Sequence, residues 1–183
     1  EIQLCRCLHP VSAAAKVNYI EISLQNFRFA VSFFKLHQIA TSGPDSDWAS
    51  IMQAFFAAIT RAQHHIYISS PYFTPNEAVL TAIKVAALSG IDVRIMIPSR
   101  SDSKIVYWAS RSYIGELIDA NVKVYLYRKG FNHSKLIMID GVFASVGTAN
   151  MDMRSFEDNF EVSAIKIGRA SCRERVYRLV YIS

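Results

Sequence analysis

The sequence predicts an α/β domain with a mixed β-sheet flanked by helices. β-branched and aromatic runs alternate with helix-period segments from Trp48 to Tyr127. Gly, Pro or Asn punctuates the ends of most of these segments. After Gly130 the rhythm changes to two short apolar runs joined by Asp140-Gly141, a strong hairpin signal.

Taken in order, Leu36–Thr41 is a short apolar run closed by the turn Ser42-Gly43-Pro44-Asp45. Trp48, Ile51, Met52, Phe55 and Ile59 then repeat at helical spacing, with Asp45, Ser46 or Asp47 available as a cap. His65–Ser70 reads as a strand ended by Pro71. Thr74-Pro75-Asn76-Glu77 has the form of a capping box with Pro at the first helical position, opening a helix to about Ser89 that Gly90 stops. A strand over Ile91–Ile97, a long helix over Lys104–Ala120 ended by Asn121, and a strand over Val122–Tyr127 follow. This strand–helix alternation favours parallel pairing with right-handed crossovers. His133–Ile139 and Val142–Gly147 form the hairpin arms, and Asn159–Ile165 is one more strand. Val106, Tyr107, Ile114, Leu117 and Ile118 fall at helical spacing and read as core.

The 183 residues suffice for one domain with a sizeable core. Apolar content of 51% excludes a disordered chain. No run reaches the roughly 20 apolar residues of a membrane span; Val17–Leu36 is interrupted by Glu21, Arg28 and Lys35. The formal charge of +5 suggests nucleic acid until the charges are placed. Residues 37–166 carry 12 basic and 12 acidic groups, so the excess lies in the two ends and no nucleic-acid partner is expected. Those ends stand apart in other ways. Residues 1–36 follow no assignable pattern, and Ile167–Val176 (IGRASCRERV) resembles the translation of a sequencing adapter. The expected organisation is therefore an uncertain segment over 1–36, a catalytic domain over 37–166 and an artefactual tail over 167–183, with the chain a fragment of a longer protein. Cys5, Cys7 and Cys172 all lie in the ends and imply neither a zinc site nor a disulfide frame.

Chemistry concentrates after Gly130. His133 and Lys135, two apart, are expected on one face of a strand. The hairpin folds Gly147-Thr148-Ala149-Asn150 back beside them. An imidazole, a fixed cation and an amide donor converging on one spot suit a phosphate: Lys neutralises it, Asn donates hydrogen bonds, and His attacks or transfers a proton. Isolated histidines are more often structural, and His37, His64 and His65 take that reading because none has polar partners in a motif.

The pattern His133-x-Lys135-x4-Asp140-x6-Gly147-Thr148-x-Asn150 resembles the signature of the phospholipase D superfamily, with Thr148 where Ser is usual. Ser42–Trp48, Pro71–Pro75, Ser101–Ser103, Ala109–Tyr113, Met153–Phe156 and Asn159–Val162 are similar to the second catalytic half of bacterial cardiolipin synthases, a resemblance covering about Leu36 to Ile165. It implies a phospholipase D-like half. His133 would be the nucleophile forming a phosphohistidine or the general acid, and Lys135 and Asn150 would bind the non-bridging phosphate oxygens beside Gly147 and Thr148. Glu161 would hold the other ring nitrogen of the histidine, fixing its tautomer. Asp140 would secure the hairpin and leave the phosphate untouched. Tyr72 and Phe73 suit either the lipid site or core and rim packing. Asp102 and Arg111 sit in these family-like stretches, yet a helix cap and an exposed helix charge explain them equally well.

The implied activity is phosphatidyl transfer between two phosphatidylglycerols, with no cofactor or metal. The implied partners are the phospholipid and either an N-terminal catalytic half or a second copy of the chain. Attachment to the cytoplasmic side of the bacterial inner membrane would come from upstream segments. The alternatives are a homodimeric phosphodiesterase or nuclease, for which a basic groove is expected, and an inactive gene fragment.

Overall fold

A computed structural model describes residues 2–4, as backbone, and residues 38–168. Strand β1 (Ile2–Leu4) is followed by β2 (Gln38–Ser42), α1 (Ser50–Thr60), β3 (His65–Ser69), the short β4 (Phe73–Thr74) and α2 (Glu77–Leu88). Next come β5 (Asp92–Pro98), α3 (Lys104–Ser112), α4 (Ile114–Asp119) and β6 (Lys123–Tyr127). The chain then forms β7 (Leu136–Ile139), β8 (Phe143–Gly147), β9 (Met151–Asp152), a π-helical turn (Arg154–Asp158) and β10 (Glu161–Ile167). The 8-stranded sheet has the order β1-β6-β5-β3-β7-β8-β10-β2, and β4 pairs with β9 in a separate ribbon.

The expected mixed sheet is present. β3, β5 and β6 run parallel, whereas β7, β8, β10 and β2 form an antiparallel array. Ile66, Ile68, Val93, Ile95, Val124, Ile137 and Ile139 join Ile51, Phe55 and Ile59 of α1 and Val79 and Ile83 of α2 in one buried core. The alternate residues Tyr67, Met138 and Ala144 form a small cluster separate from it, as the two-residue strand period requires. Of the residues read at helical spacing, Ile51, Phe55 and Ile59 are buried, Met52 is partly buried, and Trp48 precedes the helix and is 68% exposed.

Several local expectations are corrected. The cap of α2 is Asn76, whose side chain accepts from Val79 N at 3.1 Å, so Glu77 opens the helix and Thr74 belongs to β4. The cap of α1 is Ala49, without a side-chain bond, and Asp45, Ser46 and Asp47 do not cap it. The long helix over Lys104–Ala120 is two helices meeting at Tyr113, with only Ser110 of α3 fully buried and Ile114 and Leu117 carrying the packing of α4. Asn121 takes the expected left-handed stop at φ 66°. β10 starts at Glu161 and runs past Lys166: Ile167 pairs with Phe143, and Gly168 N donates to Val142 O at 2.7 Å. The expected boundary after Lys166 thus falls inside a strand. His37, Cys5, Cys7, Cys172 and residues 169–183 lie outside the described residues.

The hairpin is built as its sequence demands. Asp140 and Gly141 both adopt positive φ, 54° and 65°, and Val142 N donates to Ile139 O. The Asp140 carboxylate also reaches out of the hairpin. It accepts from the backbone N–H groups of Gln63, His64 and His65 at 2.7, 2.9 and 2.8 Å, tying the hairpin tip to the start of β3. Partial burial would raise its pKa, but these donors and the His65 ring outweigh burial and hold it below the ordinary 3.8. Asp140→Ala should therefore cost about 2 kcal/mol, the scale of lost charge-assisted hydrogen bonds. A carboxyl with a depressed folded pKa stabilises above its unfolded value and stops doing so as pH falls through the folded one. The stability gap between wild type and variant should be widest near neutrality and shrink in acid. Denaturant melts at neutral and acid pH measure it, and a pH-independent gap would remove the carboxylate from this role.

Candidate active site

The site lies where β3 and β7 meet the β8–β9 connection. His133 and Lys135 were expected on a strand; they stand in irregular backbone just before β7, which begins at Leu136. The cause is local. Asn132 accepts from Ser134 N at 3.0 Å and donates to Ser69 Oγ, while Ser134 Oγ bonds Ser69 Oγ at 2.7 Å. Side-chain bonds to the end of β3 thus replace ladder bonds through this stretch. The two-residue spacing still brings the pair together: Lys135 Nζ lies 3.1 Å from His133 Nε2 and donates to His133 O at 3.2 Å.

The charges respond to this contact. Burial and then the Lys135 ammonium lower the His133 pKa below 6.5, with Asp102 pulling the other way. Burial lowers the Lys135 pKa below 10.5, against the raising influence of Glu161 and Asp152. The imidazole is therefore held neutral at physiological pH next to a cation, the state a nucleophile or proton acceptor needs. Lys135 also lines a small pocket with Ser69, Ser145, Gly147, Ser163 and Met151. The Ser145 hydroxyl is buried without a protein partner there.

Gly147 faces Ser163 across the β8–β10 ladder. A Cβ on it would come within 2.6 Å of Ser163 Cα, so only glycine lets these strands close. Thr148 N donates to Val162 O at 2.9 Å, and its hydroxyl donates to Glu161. Asn150 is anchored from the π-helical turn: its backbone N–H and its amide both reach Ser155 Oγ, at 3.1 and 3.2 Å. Ser155 N in turn donates to the buried Asp152 at 2.7 Å.

Glu161 departs from its expected partner. Its carboxylate takes the Thr148 hydroxyl and the Asn159 amide, and no bond joins it to the His133 ring. At the start of β10, beside Thr148, it acts on Lys135 electrostatically. Asp140 sits at the far end of β7 from Lys135, roughly 15 Å along an extended strand, and makes its bonds to the β3 entrance. Phe73 is core. Tyr72 is at the site, its ring 6.3 Å from that of His133 at 75°, and Phe131 lies 5.4 Å from the same imidazole.

Asp102 is the residue the sequence left undecided. It does not cap α3, where Ser103 holds the cap position; it accepts from Tyr72 OH at 2.6 Å. That bond pushes the Tyr72 pKa up to about 12 and lowers that of Asp102. Ser101-Asp102-Ser103 was the available signal, without a named partner. Ser69, Ser134 and Ser155, which position the site, carried none beyond their neighbourhood. His64 and His65 hold structural places, the His65 ring stacked on Tyr67 at 4.7 Å. Among the described residues, no three His, Cys, Asp or Glu side chains gather as metal ligands.

Residues 55–175 match the family described as Cardiolipin synthase, PLD-like domain. The chain belongs to this family. The cardiolipin synthase of Geobacillus thermodenitrificans is 61% identical over 127 residues, covering 69% of this chain and 25% of that protein. That of Halalkalibacterium halodurans is 54% identical over 144 residues, 79% of this chain and 29% of that one. The chain thus spans about a quarter of the length of the curated relatives it matches. Among solved structures, Nuc of Salmonella typhimurium, a phospholipase D family member, aligns with a TM-score of 0.60 at 22% identity, over 73% of this chain and 83% of its own. Phosphatidylserine synthase of Haemophilus influenzae aligns at 0.63 and 14% identity, over 81% and 39%. These two share the fold of the PLD-like domain.

The Lys135–His133 contact gives the PLD-like domain a measurable signature. Lys135→Ala removes a like charge, so the His133 pKa should rise toward 6.5. Imidazole titration by NMR reads this directly, and an unchanged or lower value would separate the two side chains.

Proposed function

We propose that this PLD-like domain is one half of a phosphatidyltransferase that makes cardiolipin from two phosphatidylglycerols. The observation that carries the reading is the contact of Lys135 Nζ with His133 Nε2 at 3.1 Å, in a domain of the cardiolipin synthase family; burial and that ammonium lower the pKa of the imidazole.

The chemistry is a double displacement. One histidine attacks the phosphorus of the first phosphatidylglycerol, the bond to the headgroup oxygen breaks, and the leaving glycerol takes a proton from a second histidine. A headgroup hydroxyl of the second phosphatidylglycerol then attacks the phosphohistidine, returning its proton to that second histidine and restoring the first. His133 fills one of these roles, and its counterpart in another half fills the other. As phosphate arrives at Nε2, the Lys135 ammonium passes from the ring to a non-bridging oxygen, where charge develops in the transition state.

Asn150 supplies a further donor. As placed, its Oδ1 is buried without a partner while its Nδ2 meets Ser155 Oγ. Turning the amide over lets the Ser155 hydroxyl donate to Oδ1 and frees both Nδ2 hydrogens for phosphate. Glu161 sets the ammonium charge of Lys135 from this half and remains available to a histidine ring across the interface. On this reading the enzyme works at the cytoplasmic face of the bacterial inner membrane, where its phospholipid substrates lie. Among the described residues, no helix is long and apolar enough to cross a membrane.

In the complete two-half enzyme, His133→Ala should abolish cardiolipin formation while leaving the fold intact, because the ring is exposed. Lys135→Ala should lower turnover by about 10²-fold or more, the cost of one transition-state charge partner. Lipid chromatography of the products checks both, and wild-type yield from His133→Ala would remove this histidine from the reaction.

The two-histidine scheme also makes the single domain a half-site. Alone, the chain should transfer no phosphatidyl group as a monomer and should gain activity on addition of the complementary half or on self-association. Transfer assays alongside light scattering distinguish these states; robust transfer by a strict monomer would end the half-site reading.

A further inference from the structure

Helix α3 presents an apolar face that the fold does not use. Ile105 is 82% exposed and Trp108 70% exposed, the two lying three residues apart. At about 100° per residue, Lys104, Ile105, Trp108 and Arg111 fall within an arc of roughly 120°. Ser110, on the opposite side, is buried and faces inward, its hydroxyl accepting from Phe73 N at 3.1 Å. Arg111 lies over the Tyr107 ring at 4.4 Å, and Tyr107 meets Trp108 edge-on at 5.5 Å, so the stripe is braced by its neighbours.

This helix stands at the mouth of the site. Asp102, two residues before it, bonds Tyr72, whose ring abuts His133. The same edge collects positive charge. β5 and β6 run parallel and end side by side, Pro98 opposite Tyr127, with Ser99 N donating to Tyr127 O. Their continuations deliver Arg100 in one strand and Arg128 and Lys129 in the other, all exposed, followed by Phe131 at 42% exposure. Residues 99–112 and 128–133 together hold Arg100, Lys104, Arg111, Arg128 and Lys129 against the single acid Asp102. The rest of residues 37–166 carries seven basic and eleven acidic groups. The domain as a whole is neutral but polarised, with its positive end around the catalytic mouth.

We propose that α3 and the Arg128–Phe131 loop form an interfacial docking surface for an anionic phospholipid bilayer. Ile105, Trp108 and Phe131 enter the headgroup–acyl boundary, and the five basic residues face anionic headgroups. Basic residues beside exposed Trp and Ile on one helix face are the composition of a surface-lying amphipathic helix. Each cation near an anionic surface adds attraction that salt screens. The choice of a lipid surface over a protein partner rests on the phosphatidyl-transfer reading, because a substrate embedded in a bilayer must be met by the edge that carries His133. This docking is a property of the domain itself and is additional to any anchor elsewhere in the protein.

Tryptophan fluorescence tests it. The chain has two tryptophans, and Trp48→Phe leaves Trp108 as the reporter. With phosphatidylglycerol vesicles, Trp108 emission should shift to the blue and be quenched by brominated acyl chains. Phosphatidylcholine vesicles should produce little change, and high salt should weaken the anionic response. Ile105→Glu together with Lys104→Glu should reduce vesicle affinity at least tenfold with unchanged circular dichroism. No shift or quenching with anionic vesicles would overturn the proposal. So would a Trp108 shift that follows protein concentration without vesicles, which would make this face a contact between copies. The readout is independent of turnover. Vesicle binding without phosphatidyl transfer by the complete enzyme would therefore count against the transfer reading alone, and transfer without Trp108 insertion against the docking surface alone.

Discussion

The bonds from Asp140 to three consecutive backbone N–H groups, at 63, 64 and 65, are the constraint on which the rest of the site depends. They fix where the β7–β8 hairpin tip meets the entrance to β3, and so hold the antiparallel half of the sheet against the parallel half. With that join fixed, Ser69 falls opposite Leu136, and its hydroxyl bonds Ser134, two residues before Leu136. His133 and Lys135 are positioned by that bond. A one-residue slip would turn every side chain of β7 to the wrong face, and Lys135 would leave the pocket it shares with Ser145 and Gly147. The acidic residue of the motif thus acts on the placement of His133 and Lys135 at a distance, through register.

Gly147 sets the second half of the same geometry. Its missing side chain allows β8 and β10 to close, which brings Thr148 onto Glu161 and sends the chain toward Asn150. The π-helical turn then returns Ser155 to Asn150, and Asp152 secures the turn from within. π-helical turns often mark functional positions because they aim a side chain that a regular helix would point elsewhere. Here the aimed group is a hydroxyl that orients an amide.

Much of the fold was legible because it obeys local rules. The β3–α2–β5 and β5–β6 units follow from alternation of period and from breakers such as Gly90 and Asn121, both found at positive φ. The hairpin follows from Asp140-Gly141. The motif spacing gave the His133–Lys135 proximity, although the argument for it, a shared strand face, failed at these residues. Side-chain bonds from Asn132 and Ser134 to Ser69, 63 to 65 residues away, override the strand pattern, and no local signal encodes them. The same holds for Glu161, whose partner is decided by β8–β10 closure, and for Asp102, whose bond to Tyr72 spans 30 residues. The break at Tyr113 went unread because helical spacing continues through it, while packing divides between the shallow seat of α3 and the buried Ile114 and Leu117 of α4.

That division of packing bears on function. α4 spends its apolar residues on the core, whereas α3 keeps Ile105 and Trp108 outside it. A helix that buried its apolar face would stabilise the fold and leave the mouth of the site polar. Breaking the helix at Tyr113 separates the nine residues of α3, with their exposed stripe, from the six of α4, which pack on the core. The charges follow the same partition, because Glu116 of α4 pairs with Lys84 of α2 at 2.9 Å over the core, whereas Lys104 and Arg111 belong to the exposed stripe. Under the proposed docking, a neutral domain with its cations around one mouth would meet an anionic surface in a single orientation, with the site facing it. The orientation of the domain and the position of its imidazole are then set by the same edge of the sheet.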